Sequence, residues 1–294
     1  MSLHVFSYPF GFVAGDDRTK NGPMKVKHSP YLKDYANQLH WGQDPNTYEL
    51  LTDKTDRITR TSSQLAQQTK HACSNNELFL TVGGDHSCAI GTWSGAAHAV
   101  QQRGQSLGLI WIDAHMDAHT YDTSMTKNIH GMPLAVLLGH GDSRLTSIAS
   151  SAPKIKPENL CLIGIRSYEP EEKALLDALG VKIFYMPDIE RLSLATVMKQ
   201  ALCIVTAHTD AFGISIDVDG FDPKYAPAVA TTVDNGIDAN DMLDLLPTIF
   251  SHPQLIGTEI AEFNPAIDQD EKTEKLISNI IQLILEAQQK NTKP

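Results

Sequence analysis

Six short apolar runs punctuate the chain, at 78–82 (LFLTV), 107–112 (LGLIWI), 160–165 (LCLIGI), 181–186 (VKIFYM), 212–218 (FGISIDV) and 255–260 (LIGTEI). A strand with one solvated face alternates between apolar and polar residues; these runs do not. Continuous runs imply strands buried on both faces, as in a parallel sheet covered by helices. Helical periodicity fills the intervals, over 88–103, 131–139, 169–179, 189–201 and 238–250. A last stretch, 271–288, sets Leu276, Ile277, Ile280, Ile281 and Ile284 on one face, the spacing of a terminal helix packed on the sheet. No repeat, low-complexity tract or linker interrupts the pattern, so the expectation is one doubly wound α/β domain over residues 1–294. The first 70 residues read less clearly. Gly11, Gly15, Gly22, Pro23 and Pro30 predict a loop over 11–30.

Composition narrows the function classes. A chain of 294 residues buries enough surface to need no disulfide. Its 24 basic and 35 acidic residues give a net charge of -11, which argues against a nucleic-acid surface. The apolar runs are far shorter than the about 20 residues of a membrane span. The start, MSLHVFSYPF, lacks the basic and apolar regions of a secretory signal. Cys73, Cys88, Cys161 and Cys203 form no CxxC or short metal spacing, and the expected compartment is a reducing cytoplasm.

The chemistry collects where three runs end. TVGGDHS (81–87) brings Asp85 and His86; WIDAHMD (111–117) brings Asp113, His115 and Asp117; SIDVDGFDP (215–223) brings Asp217, Asp219 and Asp222. Gly83-Gly84 lacks the further glycine and Lys-Ser/Thr of a phosphate loop, and instead suits a sharp turn that delivers Asp85 and His86 to the carboxyl edge of the sheet. In extended chain, residues i, i+2 and i+4 share a side, so Asp113, His115 and Asp117 converge if strand geometry persists to about 117. The same spacing joins Asp217 to Asp219. Carboxylates crowded together raise one another's pKa, and cations remove that cost. Two histidines and four aspartates exceed the four ligands of one zinc. They suit two divalent ions about 3.5–4 Å apart, bridged by shared carboxylates and a hydroxide. Mixed imidazole and carboxylate donors favour manganese, with cobalt, iron or zinc as substitutes. The bland alternative is a set of acidic loops facing solvent.

Other residues carry less. His208 and Asp210 precede a run rather than end one and read as loop. His4, His28, His40, His71, His98, His140 and His252 have no carboxylate at a suggestive spacing. Trp111 reads as sheet core. The stretch 120–128 (TYDTSMTKN) follows the second motif and reads as a wall of the substrate site.

GGDHS, DAHMD and SIDVDGFDP in this order resemble the ureohydrolase superfamily of arginases, agmatinases and formiminoglutamases, and NIHGMP (128–133) and EFNP (262–265) resemble its arginase branch. The resemblance runs from DDRTKNGP (16–23) through the last helix. It implies a three-layer α/β/α fold, a cytoplasmic homo-oligomer (trimer or hexamer), and two Mn2+ per subunit. One ion would be held by His86, Asp113, Asp117 and Asp217, the other by Asp113, His115, Asp217 and Asp219. It also implies hydrolysis of L-arginine to L-ornithine and urea through a metal-bridging hydroxide. In that chemistry Asp117 takes the proton, His130 relays one to bulk water, and Glu262 pairs with the guanidinium. Asp85 and Asp222 look like residues that fix turns.

The substrate tail is where this sequence departs from the pattern. His119 stands where arginases have an asparagine that grips the α-carboxylate. Thr126-Lys127 replaces serine-glycine before Asn128, Glu169 resembles an acid that meets the α-amino group, and Ser167 sits where another aspartate is common. His119 or Lys127 could donate to a carboxylate. These changes leave the reaction class intact and keep other guanidino compounds open, as they keep open a metal-binding protein without turnover.

Overall fold

The computed structural model describes residues 2–12 and 16–291. Eight strands form one sheet: β1 (Leu3–Tyr8), β2 (Leu39–Trp41), β3 (Phe79–Gly83), β4 (Leu107–Ile112), β5 (Leu160–Ile165), β6 (Lys182–Tyr185), β7 (Ala211–Asp217) and β8 (Leu255–Ala261). Their order is β2-β1-β3-β8-β7-β4-β5-β6, and every pairing is parallel. The six apolar runs are β3 to β8. Along β4, Ile110 and Ile112 enter one core while Leu109 and Trp111 enter the other. Burial on both faces is why the run shows no alternation.

The helices in the first half of the chain are α1 (Gly22–Lys27), α2 (Lys54–Ser74), α3 (Cys88–Gln101), α4 (Pro133–Leu137) and α5 (Ser143–Thr146). Those in the second half are α6 (Pro170–Leu179), α7 (Met186–Leu192), α8 (Leu194–Ala207), α9 (Ala239–Phe250) and α10 (Lys272–Asn291). Helices α2 to α6 supply side chains to the core on one face of the sheet, and α1 with α7 to α10 to the other. The fold is a three-layer α/β/α sandwich.

Three expectations need correction. The loop expected over 11–30, of which 13–15 with Gly15 lie outside the described residues, gives way to a 3-10 turn over Arg18–Asn21 that leads into α1, with Pro23 in its first turn, where a missing N–H costs nothing. The stretch 189–201 is not one helix. Ser193, with φ +72°, ends α7, and its side chain accepts the Thr196 amide to start α8. Helix 131–139 shortens to a 3-10 turn over Ile129–Gly131 followed by α4.

β1, β2 and α2 carry no clear signal in the sequence. The buried face of α2 mixes Thr61, Ser62, Ala66 and Thr69 with Ile58 and Leu65. Small residues are required there, because α3 comes so close that a Cβ on Gly95 would sit 2.0 Å from the Ala66 carbonyl oxygen. Close backbone approach thus dilutes the apolar periodicity that would have marked the helix.

With all strands parallel, their carboxyl ends share one edge. The ends of β3, β8, β7, β4 and β5 lie side by side there, and the chain that leaves them builds the site. β3 and β4 are separated by two strands, so the sheet's winding changes direction between them, where open α/β sheets form a crevice.

Candidate active site

The turn after β3 is set by backbone crowding. A Cβ on Gly84 would lie 2.1 Å from the Phe10 carbonyl oxygen, and the Gly84 amide donates to Tyr8 at 2.9 Å. Asp85 locks the turn by accepting the amides of Phe12 (3.0 Å) and Ser87 (3.1 Å) and the Ser87 hydroxyl. His86 is thereby driven into the interior, 1% exposed, stacked on Trp111 with centroids 4.2 Å apart.

Around His86 Nδ1 three carboxylate oxygens converge: Asp113 Oδ2 at 3.2 Å, Asp117 Oδ2 at 3.1 Å and Asp217 Oδ2 at 3.0 Å. A second cluster forms at His115 Nδ1, with Asp113 Oδ1 at 3.5 Å and Asp219 Oδ2 at 3.1 Å. Asp113 belongs to both clusters, one oxygen to each. The route differs from the extended-chain reading. β4 stops at Ile112, and Asp117 takes φ +48°, so a turn rather than a continuing strand brings it back to His86. Likewise Asp217 and Asp219 meet through a 3-10 turn over Val218–Gly220, in which Asp217 Oδ1 accepts the Asp219 amide at 2.9 Å.

These residues fit a pair of divalent cations. Donor atoms about 3 Å apart are the spacing of adjacent ligands roughly 2.1 Å from one ion. Buried His86 Nδ1 makes no well-formed hydrogen bond despite its three carboxylate neighbours, so the atom is aimed at something other than a proton acceptor. The electrostatics agree. Burial raises the proton affinity of Asp217, as do Asp219 and Asp113 beside it, and Asp117 is raised by burial and by Asp113. Burial opposes charge on both histidines, yet the carboxylates outweigh it and push His115 up to about 12 and His86 well above its usual range. Positive charge is what this cluster demands, and a pair of cations would supply it.

Behind the two clusters lies a further layer of support. His86 Nε2 meets Ser215 Oγ at 2.9 Å, and that hydroxyl donates to Glu259 Oε1 at 2.8 Å. Trp111 Nε1 donates to Asp113 Oδ2 at 2.9 Å, so the residue read as core also holds a ligand. The signal was present as polar residues inside buried strands, Ser215 in β7 and Glu259 in β8. Replacing Ser215 by alanine frees the His86 ring and is expected to weaken binding of the ion at His86 by about 10–100-fold, read by metal titration of chelator-treated protein. Unchanged affinity would remove Ser215 from this role.

A cavity of about 210 Å³ opens onto the clusters, and Asp117, His130 and Glu262 all line it. Glu262 follows β8 with φ +70°, its amide held by the Gly84 carbonyl at 2.9 Å and its Oε1 accepting the His86 amide at 2.8 Å. Burial raises its proton affinity well above the ordinary carboxylate range, as do Asp217 and Asp85. A carboxylate held so is ready for a cationic partner. His130 Nδ1 donates to the Phe12 carbonyl oxygen at 3.2 Å, since that oxygen can only accept, and Nε2 is left outside this bond.

The outer wall of the cavity contains His119, Thr126, Asn128 and Glu169. His119 is tied at both nitrogens, Nδ1 to Thr123 Oγ1 at 3.1 Å and Nε2 to Glu169 Oε2 at 3.0 Å. Lys127 is absent from the lining: with φ +59°, its Nζ donates to the Tyr121 carbonyl at 2.6 Å, which corrects the expectation that it could grip a carboxylate tail. Glu172, unassigned from sequence, joins the wall. It accepts the amides of Ala118 and Glu169, both at 3.0 Å, and its Oε2 lies 3.5 Å from His119 Nε2. Burial and the adjacent Glu169 push its carboxyl up to about 8. The capping-box spacing from Glu169 was its only sequence signal.

The decoys stay outside. His208 ends α8, and Asp210 accepts the Ser106 amide at 3.3 Å. Asp222 accepts the Lys224 amide at 3.0 Å and fixes a turn.

Comparison with known proteins agrees with this geometry. The family model described as "Arginase family" matches residues 2–286. An arginase of Brevibacillus brevis is 38% identical over 221 residues, 75% of this chain and 73% of its own length. The crystal structure of an arginase from Bacillus subtilis superposes with a TM-score of 0.88 at 31% identity, covering 97% of this chain and 98% of that one. An Entamoeba histolytica arginase, crystallised in complex with L-ornithine, gives 0.85 at 26% identity over 97% and 99%.

Proposed function

The chain belongs to the arginase family, and from that membership we propose that it hydrolyses L-arginine to L-ornithine and urea with two Mn2+ ions. It is an amidinohydrolase with a donor set for a binuclear metal centre and a small guanidino substrate. The observation that carries the reading is the pair of histidine–carboxylate clusters sharing Asp113 at the floor of a cavity that Glu262 also lines. His86, Asp113, Asp117 and Asp217 would hold one ion, and Asp113, His115 and Asp219, with Asp217 as second bridge, the other. Bound there, the ions supply the charge that makes hydroxide available from water near neutral pH.

The side chains do the rest. Glu262 orients the planar guanidinium through charge-assisted hydrogen bonds. The guanidinium carbon is a poor electrophile because its charge is spread over three nitrogens, so fixing its plane against the attacking oxygen is a large part of the task. Asp117 takes the proton released on attack and hands it to the departing nitrogen. His130 passes to bulk water, through Nε2, the proton that water gives up on becoming hydroxide. The mixed nitrogen and oxygen donors favour manganese over magnesium or calcium, with Co2+, Fe2+ or Zn2+ as substitutes. That the Entamoeba histolytica relative was crystallised with L-ornithine supports an amino-acid tail.

One observation favours a second reading. His119 has both ring nitrogens engaged within the wall, so it offers no idle donor to an α-carboxylate. A tail without that carboxylate, as in agmatine, would lose less here.

Urea release by manganese-loaded protein separates the readings, with L-arginine, agmatine and 4-guanidinobutyrate side by side. An advantage for arginine of 100-fold or more, about 2.7 kcal/mol, is expected. A faster reaction with either other compound would overturn arginine as the substrate and keep the reaction class. No urea from any of them, with two ions bound, would point to a formiminoglutamase, whose substrate carries no guanidinium, or to binding without turnover.

A further inference from the structure

Arg166 is the first residue after β5 and has no place in the chemistry above. Its guanidinium is spent entirely on backbone carbonyl oxygens. Nε donates to Asp234 at 3.1 Å and Nη1 to Gly164 at 3.2 Å and Gly220 at 3.1 Å; Nη2 donates to Asp219 at 2.7 Å, Val233 at 2.8 Å and Phe221 at 3.4 Å. Among the described residues, none of its donors meets a carboxylate within 4 Å. Its own amide donates at 2.9 Å to the carbonyl of Ala114, which stands between Asp113 and His115.

The acceptors are not scattered. Asp219, Gly220 and Phe221 are consecutive, and their carbonyls turn toward one guanidinium only if the 3-10 turn after β7 keeps a single backbone conformation. That turn aims Asp219 Oδ2 at His115 Nδ1 and lets Asp219 Oδ1 accept the Ala114 amide at 3.2 Å. Arg166 therefore reaches from β5, past the end of β4, to the loop after β7, and joins both to the 233–234 segment. The cluster at His86 has a support of its own, through Ser215 and Glu259; no side-chain hydrogen bond of Arg166 goes to its members, and Asp217 meets the clamped turn only through the Asp219 amide at 2.9 Å.

We propose that Arg166 is a positioning residue for one of the two ions, the one at His115 and Asp219, by clamping the carbonyls of residues 219–221. A planar cation with five N–H donors in a fixed fork can hold three turns at once. An ammonium has three donors on a flexible stem and can hold part of that set. A neutral apolar side chain leaves these carbonyls without their donor, the turn relaxes, and Asp219 loses its aim. Outer partners of metal ligands characteristically change affinity by about 10–100-fold.

This inference rests on the reading of the site as a two-ion centre. The test uses the full chain, stripped with a chelator and titrated with Mn2+, with stoichiometry by elemental analysis and electron paramagnetic resonance separating coupled pairs from single ions. Wild-type protein binding fewer than two ions would defeat that reading, and with it this one. With two bound, Arg166→Met is expected to weaken one equivalent at least 10-fold and leave the other within about threefold. The coupled-pair signal then gives way to that of single ions. Arg166→Lys should recover part of the loss. Two equivalents at wild-type affinity, or both weakened alike, would overturn the proposal. If the methionine variant does not fold, the lysine variant alone decides, by selective weakening against equal or no weakening.

Discussion

Replacing Asp117 by asparagine is expected to lower kcat by roughly 10³-fold or more, with the fold retained. The residue is 7% exposed, its Oδ2 sits 3.1 Å from His86 Nδ1, and its backbone carbonyl accepts the Leu134 amide at 2.9 Å, a bond the substitution leaves in place. Asparagine keeps the volume and can still fill the place, so unfolding is not the expected cause of the loss. It cannot accept a proton and is a weaker, neutral ligand. Two effects then add: one cation is held less well, and the step that protonates the leaving nitrogen loses its donor. Thermal unfolding and manganese stoichiometry measured beside urea release separate them. A variant that regains two ions at high manganese and stays inactive assigns the loss to proton transfer. Near-normal turnover would remove Asp117 from both roles.

The second large effect is expected at Glu262. Glu262→Gln keeps the shape and can still accept the His86 amide, so the turn after β3 should hold. What disappears is the charge facing the guanidinium. Charge-assisted hydrogen bonds contribute about 1.5–3 kcal/mol each against roughly 1 for neutral ones. A loss near 3 kcal/mol corresponds to about 10²-fold in kcat/KM. Steady-state kinetics with L-arginine check this, with bound manganese measured on the same sample. Unchanged stoichiometry with kcat/KM reduced about 100-fold fits a substrate-orienting role. A change smaller than threefold would show that Glu262 only braces His86. The two variants part company on metal: Asp117→Asn should shift the manganese titration, and Glu262→Gln should not.

The two positions also differ in how they were legible. Asp117 ends an apolar run with acidic residues and a histidine at alternating positions, a pattern a buried strand would not carry without a task. The convergence was readable; the path was not. Whether a chain continues extended or turns depends on which backbone groups find partners. Here β4 ends after Ile112 because the amides that follow turn to side chains: Ala114 donates to Asp219 Oδ1 at 3.2 Å and His115 to Asp113 Oδ1 at 2.6 Å. Glu262 drew attention only through EFNP as a family resemblance. Nothing local marks it, since its work depends on Gly84 and His86, some 176 residues earlier.

The sequence was enough to specify the parallel α/β class, six of the eight described strands and the residues of the histidine–carboxylate clusters. It could do so because burial on both faces of a strand, and charge placed where apolar runs stop, are local patterns. The tertiary structure alone decided the rest. It revealed α2, hidden by the small residues its contact with α3 requires, and split α7 from α8 at Ser193. It also brought Glu172 into the cavity wall, turned Lys127 out of it, and set Ser215, Glu259 and Arg166 behind the ligands. Each of these depends on partners distant along the chain, so no window of sequence contains the interaction that fixes it.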